Sequence, residues 1–536
     1  LKSPSSFAAT EWTRAKSLAL FFLASWGVTF KFWLIAPLEI IDEADDPHEY
    51  VLQILFPTNG GLAYPPGTGL MGRFFHDLGI PFHLGIEAVF ILASAMVLRA
   101  LFGWPWKSYL SLGLFLFTIF NPVPAALFMR LMSDQVWLVE TMLGISWLVL
   151  SLEGGVQEKH RWLYLGFAAV FLGLSSVTRS TFIPLIASLL IFTLIMLLVF
   201  AFGFKSSAHQ AKINLLASLL TVLLAIVAIY YGTCYLNSKR FGYFGVSAID
   251  CSEYWHFYSC LQSVGPAGKD TYFPVDQSRR QLIATAGPTA KWFVEKININ
   301  EMYQQIGRDH YGKSDVPSGW FHFATFNVLF NSSDGDLRKS YSLMRKIENE
   351  IAEASRRGDL STRFVLPLPD SRIDLVSAAF PLGWSDAVDM TLLCPPPELF
   401  SWEKRKGLYD SPEFAAALLR QQVQPSPAQE SAWRFLCTIY AHLYSKVAFY
   451  LYLALTVFFL IALSYRRDRI KNDAFALLAQ QAFVVFFFVH MLWYAFFDAS
   501  GLYVFSRYMI FQNVMLPILM VACTFTIVRL LKPTKL

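Results

Sequence analysis

About ten apolar runs, each long enough to cross the roughly 30 Å hydrocarbon core of a bilayer, divide this chain. They fall near 18–37, 83–102, 109–128, 134–152, 162–178, 181–203, 214–236, 443–464, 474–496 and 508–530. In lipid every backbone group must find its partner within the protein, so runs of this length read as membrane helices. Composition agrees: 55% of residues are hydrophobic, 16% aromatic and only 15% charged, against roughly 25% charged in soluble domains. An all-α polytopic membrane protein is expected. The net charge of +5 carries no nucleic-acid signal, because the basic residues gather at helix ends. Lys2, Arg14 and Lys16 precede the first run as in a signal sequence. That run has no small-residue cleavage site, so it is expected to persist as the first span. The chain does not begin with Met, so a longer natural start is expected.

Charge fixes an orientation. With the N-terminus in the cytoplasm, the loops on that side hold Arg99 and Lys107, Lys159 and Arg161, Lys205 and Lys212, then Arg466, Arg467, Arg469 and Lys471. The short connections on the other side hold only Arg73, Arg130, Arg179 and Arg507. This is the positive-inside pattern, and it places both termini in the cytoplasm.

Three parts follow: spans one to seven over 1–238, with an acidic first outer loop at 38–82; a polar outer segment over 239–435; and spans eight to ten over 436–536. The middle segment has enough Trp292, Phe293, Trp320, Phe321, Phe323 and Phe330 to bury a core, so a mixed folded domain is expected. Leu337 to Arg357 has a helical pattern. Asn331-Ser332-Ser333 is a glycosylation sequon. Cys251 and Cys260, in a polar loop, would pair if that side is oxidising. No internal repeat of the transporter kind is visible.

Asp42-Glu43-Ala44-Asp45-Asp46-Pro47-His48-Glu49 follows the first span. Carboxylates so close repel one another and resist desolvation, so they call for a cation, hydrogen bonds or a reaction, unless they form a solvated acidic loop. Tyr64-Pro65-Pro66-Gly67 lies further along the same loop. Arg130 and Asp134 flank the outer start of the fourth span, Arg179 sits between the fifth and sixth, and Arg507-Tyr508 opens the last. Arg130 and Arg507 alone could snorkel to lipid headgroups. Together, outer arginines suit a phosphate and the acids suit proton uptake.

These features, in this order and sidedness, resemble the GT-C superfamily of membrane glycosyltransferases. Asp42-Glu43 with Glu49 and Tyr50 is similar to the Asp-Glu…Glu pattern of its mannosyltransferases. Tyr64-Pro65-Pro66-Gly67 resembles a Tyr-Pro-Gly segment. The run from Gly173 to Ser180 resembles Gly-Leu-x-x-x-Thr-Arg-Pro, with Ser180 in place of Pro. Ser506-Arg507-Tyr508 resembles an Arg-Tyr motif, and Asn121-Pro122 with Ser133-Asp134 resembles Asn-Pro…Ser-Glu. The likeness covers the membrane part and stops at 239–434.

The resemblance implies an inverting transfer of a sugar from a polyprenyl- or dolichyl-phosphate donor to a glycan, glycolipid or protein acceptor on the periplasmic or lumenal face. Asp42 would be the general base by its place in the motif, with Glu43, Asp45 and Asp46 as alternatives. Arg179 and Arg507, then Arg130, would meet the leaving phosphate. His48, Glu49, Tyr64 and Tyr508 would line the substrate. Asp134 would orient the acceptor or simply favour the helix dipole. A divalent cation (Mg²⁺, Mn²⁺ or Ca²⁺) held by Asp42, Asp45 and Asp46 fits the ligand chemistry. Glu140 and His490 read as packed partners within the bundle, and Lys31 as either snorkelling or reaching a lipid phosphate. A lipid-linked glycan flippase, an inactive assembly subunit of the same fold and a diphosphate-dependent glycan ligase are the other readings.

Overall fold

The computed structural model describes residues 4–38, 46–55, 64–129, 131–153, 158–179, 182–203, 209–266, 272–365, 372–400, 419, 424–465, 470–500 and 506–531. Among these the chain is helical, without a strand; two isolated bridges join Gly245 to Cys251 and Val264 to Thr362. The first part holds α1 (Pro4–Ile35), α2 (Asp46–Leu55), α3 (Gly67–Asp77), α4 (Phe82–Leu101), α5 (Tyr109–Ile119), α6 (Pro122–Phe128), α7 (Ser133–Ser151), α8 (Glu158–Thr178), α9 (Phe182–Gly203) and α10 (His209–Phe241). The middle holds α11 (Ser252–Ser263), α12 (Gln277–Ala284), α13 (Pro288–Asn298), α14 (Glu301–Tyr311), α15 (Ser318–Asn331) and α16 (Leu337–Arg357). The same segment continues with α17 (Ile373–Leu392) and runs into α18 (Pro427–Leu443), and the last part holds α19 (Lys446–Tyr465), α20 (Ile470–Ala499) and α21 (Ile510–Leu531).

Seven described segments are long and apolar enough to cross a membrane: Arg14–Ile35, Phe82–Leu101, Tyr109–Phe128, Lys159–Thr178, Leu215–Phe241, Gln480–Ala499 and Arg507–Val528. An eighth arises if α18 and the first part of α19, which meet at 54°, form one broken span. Among the described residues these match eight of the ten expected runs, and the other two form the helices α7 and α9. Phe182–Leu198 is apolar but shorter. The run at 134–152 became α7, and Asp134, Gln135, Glu140, Thr141 and Ser146 all lie buried in it. α7 packs against α4, α8 and α20, so its polar groups meet protein where a lipid-facing helix would meet hydrocarbon.

Asn121 and Pro122 break the third run into α5 and α6. The Asn121 side chain caps α6, accepting from the Val123 amide at 3.0 Å, and Pro122 needs no amide partner in that first turn. The Asn121 amide nitrogen donates to Tyr444 Oη (3.2 Å) and Asn513 Oδ1 (2.9 Å), and Asn513 donates to the Thr391 carbonyl at 2.8 Å. One buried network thus joins α6, α17, α21 and the end of α18. α18 in turn holds the end of α1: Gln429 donates to the Trp33 carbonyl (2.6 Å) and Trp433 to the Leu34 carbonyl (3.3 Å). Lys31 turns inward, where its ammonium lies 3.4 Å from Glu87 and over the Trp433 ring. Of its two sequence readings, neither snorkelling nor a lipid phosphate is what this lysine meets.

A second core spans Tyr243 to Leu360, built by α11 to α16. The expected mixed character narrows to an all-helical one among the described residues. α16 covers the predicted 337–357 and buries Leu337, Tyr341, Met344, Ile347, Ile351 and Ala354, the spacing of one helix face. The predicted aromatics all join this core. Cys251 and Cys260 are free thiols. They sit nine positions apart along α11 and its cap, about 13 Å by helical rise, well beyond the reach of a disulfide. α17 packs on α20, with Gly383 so close to α20 that a Cβ there would stand 2.4 Å from the Ala495 carbonyl oxygen.

Candidate active site

The site is built from helix ends. α8 stops at Thr178, whose hydroxyl lies 2.6 Å from Glu140 Oε2 and 3.0 Å from the Leu174 carbonyl. That anchor ties the end of α8 to the middle of α7 and delivers the next residue, Arg179, to the start of α7. There Arg179 donates to Asp134 Oδ1. Arg507, in the 3-10 turn Ser506–Met509 before α21, approaches the other oxygen, with Nε 3.9 Å from Asp134 Oδ2. Its Nη1 lies 3.1 Å from the Met132 sulfur. Residues far apart in sequence are thus drawn onto one carboxylate.

Aromatic rings hold the guanidiniums in place. Arg179 lies 4.2 Å from the Tyr508 ring centre and 5.2 Å from that of Tyr494. The two tyrosine rings stack at 5.7 Å. Arg507 is also placed 5.2 Å from the Tyr508 ring. Depth is graded: the Asp134 side chain is 3% exposed, while Arg179 and Arg507 are 13% and 18% exposed. The carboxylate is the most buried of the three groups. A fixed pair of forks suits a tetrahedral anion better than a single ammonium does.

α2, which begins at Asp46, reaches this place through α3. α3 packs on α2 and against α7 and α8. Gly67, in the Tyr-Pro-Pro-Gly motif, touches Thr178 so closely that a Cβ would lie 2.0 Å from its hydroxyl and 2.6 Å from its Cα. The two motifs read from sequence are therefore in direct contact. The Tyr64 ring packs between Tyr50 (5.3 Å) and Phe323 of the second core (6.0 Å), and its carbonyl accepts from Gln53 at 3.0 Å. Arg73 is engaged by Asp77 (2.9 Å) and the Ile54 carbonyl (3.2 Å).

The structure brings together Asp134, Arg179, Arg507 and Tyr508 from the predicted set. Asp42, Glu43, Asp45 and Arg130 lie outside the described residues; Asp46, His48 and Glu49 are placed only as the first turn of α2. Among the described residues no three His, Cys, Asp or Glu side chains gather as a metal site, and two of the three expected ligands are outside them. Tyr494 was missed: one tyrosine inside an apolar run carries no sequence signal until α20 turns it toward Arg179. Glu140 and His490 are packed partners as expected, Glu140 with Thr178 and His490 with the Phe486 carbonyl at 2.9 Å.

No protein family and no curated protein matches this chain. Among solved structures it is similar to ArnT from Cupriavidus metallidurans bound to undecaprenyl phosphate, at 12% identity, with 93% of this chain and 78% of that chain covered and a TM-score of 0.31. The apo state of the same protein matches at 11% identity over 92% and 78%, with the same TM-score.

Proposed function

We propose that this protein is a multi-pass membrane glycosyltransferase of the GT-C kind that inverts a sugar drawn from a polyprenyl-phosphate donor. The observation that carries the reading is the convergence of Arg179 and Arg507 on buried Asp134, stacked on Tyr494 and Tyr508, at helix ends. Charge patterning supports an outer, periplasmic or lumenal, face for this cluster and a cytoplasmic side for both termini.

In this reading the acceptor hydroxyl oxygen attacks the sugar C1 from the side opposite the donor phosphate. The new C1–O bond forms as the C1–O bond to phosphate breaks, and the electron pair leaves with the polyprenyl phosphate. The hydroxyl proton goes to a carboxylate of the acidic segment, Asp42 by position, with Glu43, Asp45 and Asp46 in reserve. Arg179 and Arg507 meet charge on the departing phosphate, and each such preorganised donor is worth about 10²–10³-fold in rate. Asp134, with its oxygens committed to the arginines, acts as their holder. His48, Glu49 and Arg130 are assigned to substrate contacts, and Tyr64 to joining the acidic loop to the second core. A divalent cation on Asp42, Asp45 and Asp46 would neutralise phosphate charge; transfer measured with and without a chelator tests it.

The three parts 1–238, 239–435 and 436–536 then serve as a membrane half with the acid, an outer domain that roofs the acceptor, and a membrane half with Arg507. The test is transfer by purified protein from a panel of polyprenyl-monophosphate sugars, polyprenyl-diphosphate sugars and nucleotide sugars into lipid extract. Transfer from a monophosphate donor alone is expected. Transfer confined to a diphosphate or nucleotide donor, or none from any donor, would overturn the reading.

A further inference from the structure

We propose that Cys394 and Cys437 form a disulfide on the outer face, joining the chain after α17 to α18. Cys394 Sγ lies 3.6 Å from the Cys437 carbonyl oxygen, which puts the two residues side by side. Cys437 is buried and Cys394 half-buried.

Neighbouring contacts hold both backbones without help from the sulfurs. Three residues before Cys394, the Thr391 carbonyl is held by Asn513. On α18, Tyr440 donates to the Phe117 carbonyl, and Trp433 stacks on Phe400 with centroids 4.4 Å apart. Residues already side by side on fixed backbones can meet the narrow geometry that a disulfide demands. The other four cysteines do not offer this. Cys251 and Cys260 are separated along α11, while Cys234 lies in α10 and Cys523 in α21.

The chemistry is thiol–disulfide exchange with a disulfide-bearing partner of the outer compartment, a small-molecule or protein disulfide. One thiolate attacks the donor disulfide, the second resolves the mixed intermediate, the Cys394–Cys437 S–S bond forms, and the donor leaves as two thiols carrying the two electrons and two protons. The setting comes from the topology and is independent of the sugar-transfer reading: α18 sits against the end of α1, which the charge pattern assigns to the outer, oxidising side. The bond would close the loop between 394 and 437. It would also brace α18, whose Gln429 and Trp433 hold α1 where the acidic segment begins.

The test uses the full chain in membranes of a host that builds disulfides on that face. Membranes are denatured in excess light alkylating reagent, reduced, then treated with a heavy-isotope reagent and read by peptide mass spectrometry. Heavy label at Cys394 and Cys437, light label at the other four, and a linked 394/437 peptide before reduction are expected. Cys394→Ser should move Cys437 into the light pool, and Cys437→Ala should do the same for Cys394. Light label at both cysteines in the wild type would overturn the proposal. Two arms locate such a failure. No linkage when purified protein meets oxidised glutathione contradicts the geometry; linkage there but not in membranes contradicts the compartment. Reduction should lower the unfolding midpoint of wild type and leave the doubly substituted protein unchanged; equal shifts in both would also count against the bond.

Discussion

The guanidinium of Arg179 lies 4.2 Å from the ring centre of Tyr508, so a cation that looks isolated in sequence sits over an aromatic face. Such contacts contribute about 0.5–2 kcal/mol, more when water is excluded. Tyr508→Phe keeps the ring and should change donor KM little. Tyr508→Leu frees the arginine and should raise KM by about 2–30-fold on the same energy scale. Steady-state kinetics with a polyprenyl-phosphate sugar separates the two; equal behaviour of Phe and Leu would remove the stacking role.

Gly67 makes a second prediction. A methyl group there collides with the hydroxyl and Cα of Thr178, which is backbone as well as side chain. Gly67→Ala should therefore cost about 1–3 kcal/mol of stability and shift Arg179 through its neighbour. Thermal unfolding in detergent and the transfer rate should both fall. An unchanged rate would mean that α3 does not brace the arginine.

Lys31 and Glu87 form a pair with 0% and 1% side-chain exposure. Removing one partner of such a pair leaves a lone buried charge and costs about 3–5 kcal/mol, whereas replacing both with apolar residues is often neutral. Lys31→Met alone should lower the unfolding midpoint sharply. Lys31→Met with Glu87→Leu should recover most of the loss. A double variant as unstable as the single one would show that the pair does more than balance charge.

Acid should loosen the second core through His322. Burial lowers its pKa from 6.5 to about 3, so the folded state resists a proton that the unfolded chain accepts. Its contribution is flat above pH 6.5. Stability is then lost as pH falls from 6.5 toward 3, at up to about 1.4 kcal/mol per pH unit. His322→Asn, which keeps a polar group 3.1 Å or so from Tyr254 Oη, should flatten that slope. Unfolding followed at pH 7.5, 6 and 5 reads it directly.

Much of this was legible because apolar length and helical spacing are local signals. The first span, α16 with its buried stripe and the Thr178-Arg179 motif all follow from neighbours in sequence. What was not legible depended on which faces meet. The run that became α7 read as one more span, and only the folded chain shows α4, α8 and α20 packed around it. Arg179, Arg507 and Tyr508 were visible as outer residues, but nothing in sequence says that Asp134 lies beneath both arginines. The cysteines show the same limit: Cys251 and Cys260 looked close along the chain and are held apart by a helix, while Cys394 and Cys437, distant along the chain, are neighbours.

The most direct measurement compares binding of a radiolabelled polyprenyl phosphate with sugar transfer for wild type, Asp42→Asn and Arg179→Ala. If the arginines hold the phosphate and the acid takes the proton, Asp42→Asn keeps binding and loses transfer, while Arg179→Ala loses both. Arg179→Ala binding the lipid phosphate as tightly as wild type would contradict the central role given to that guanidinium.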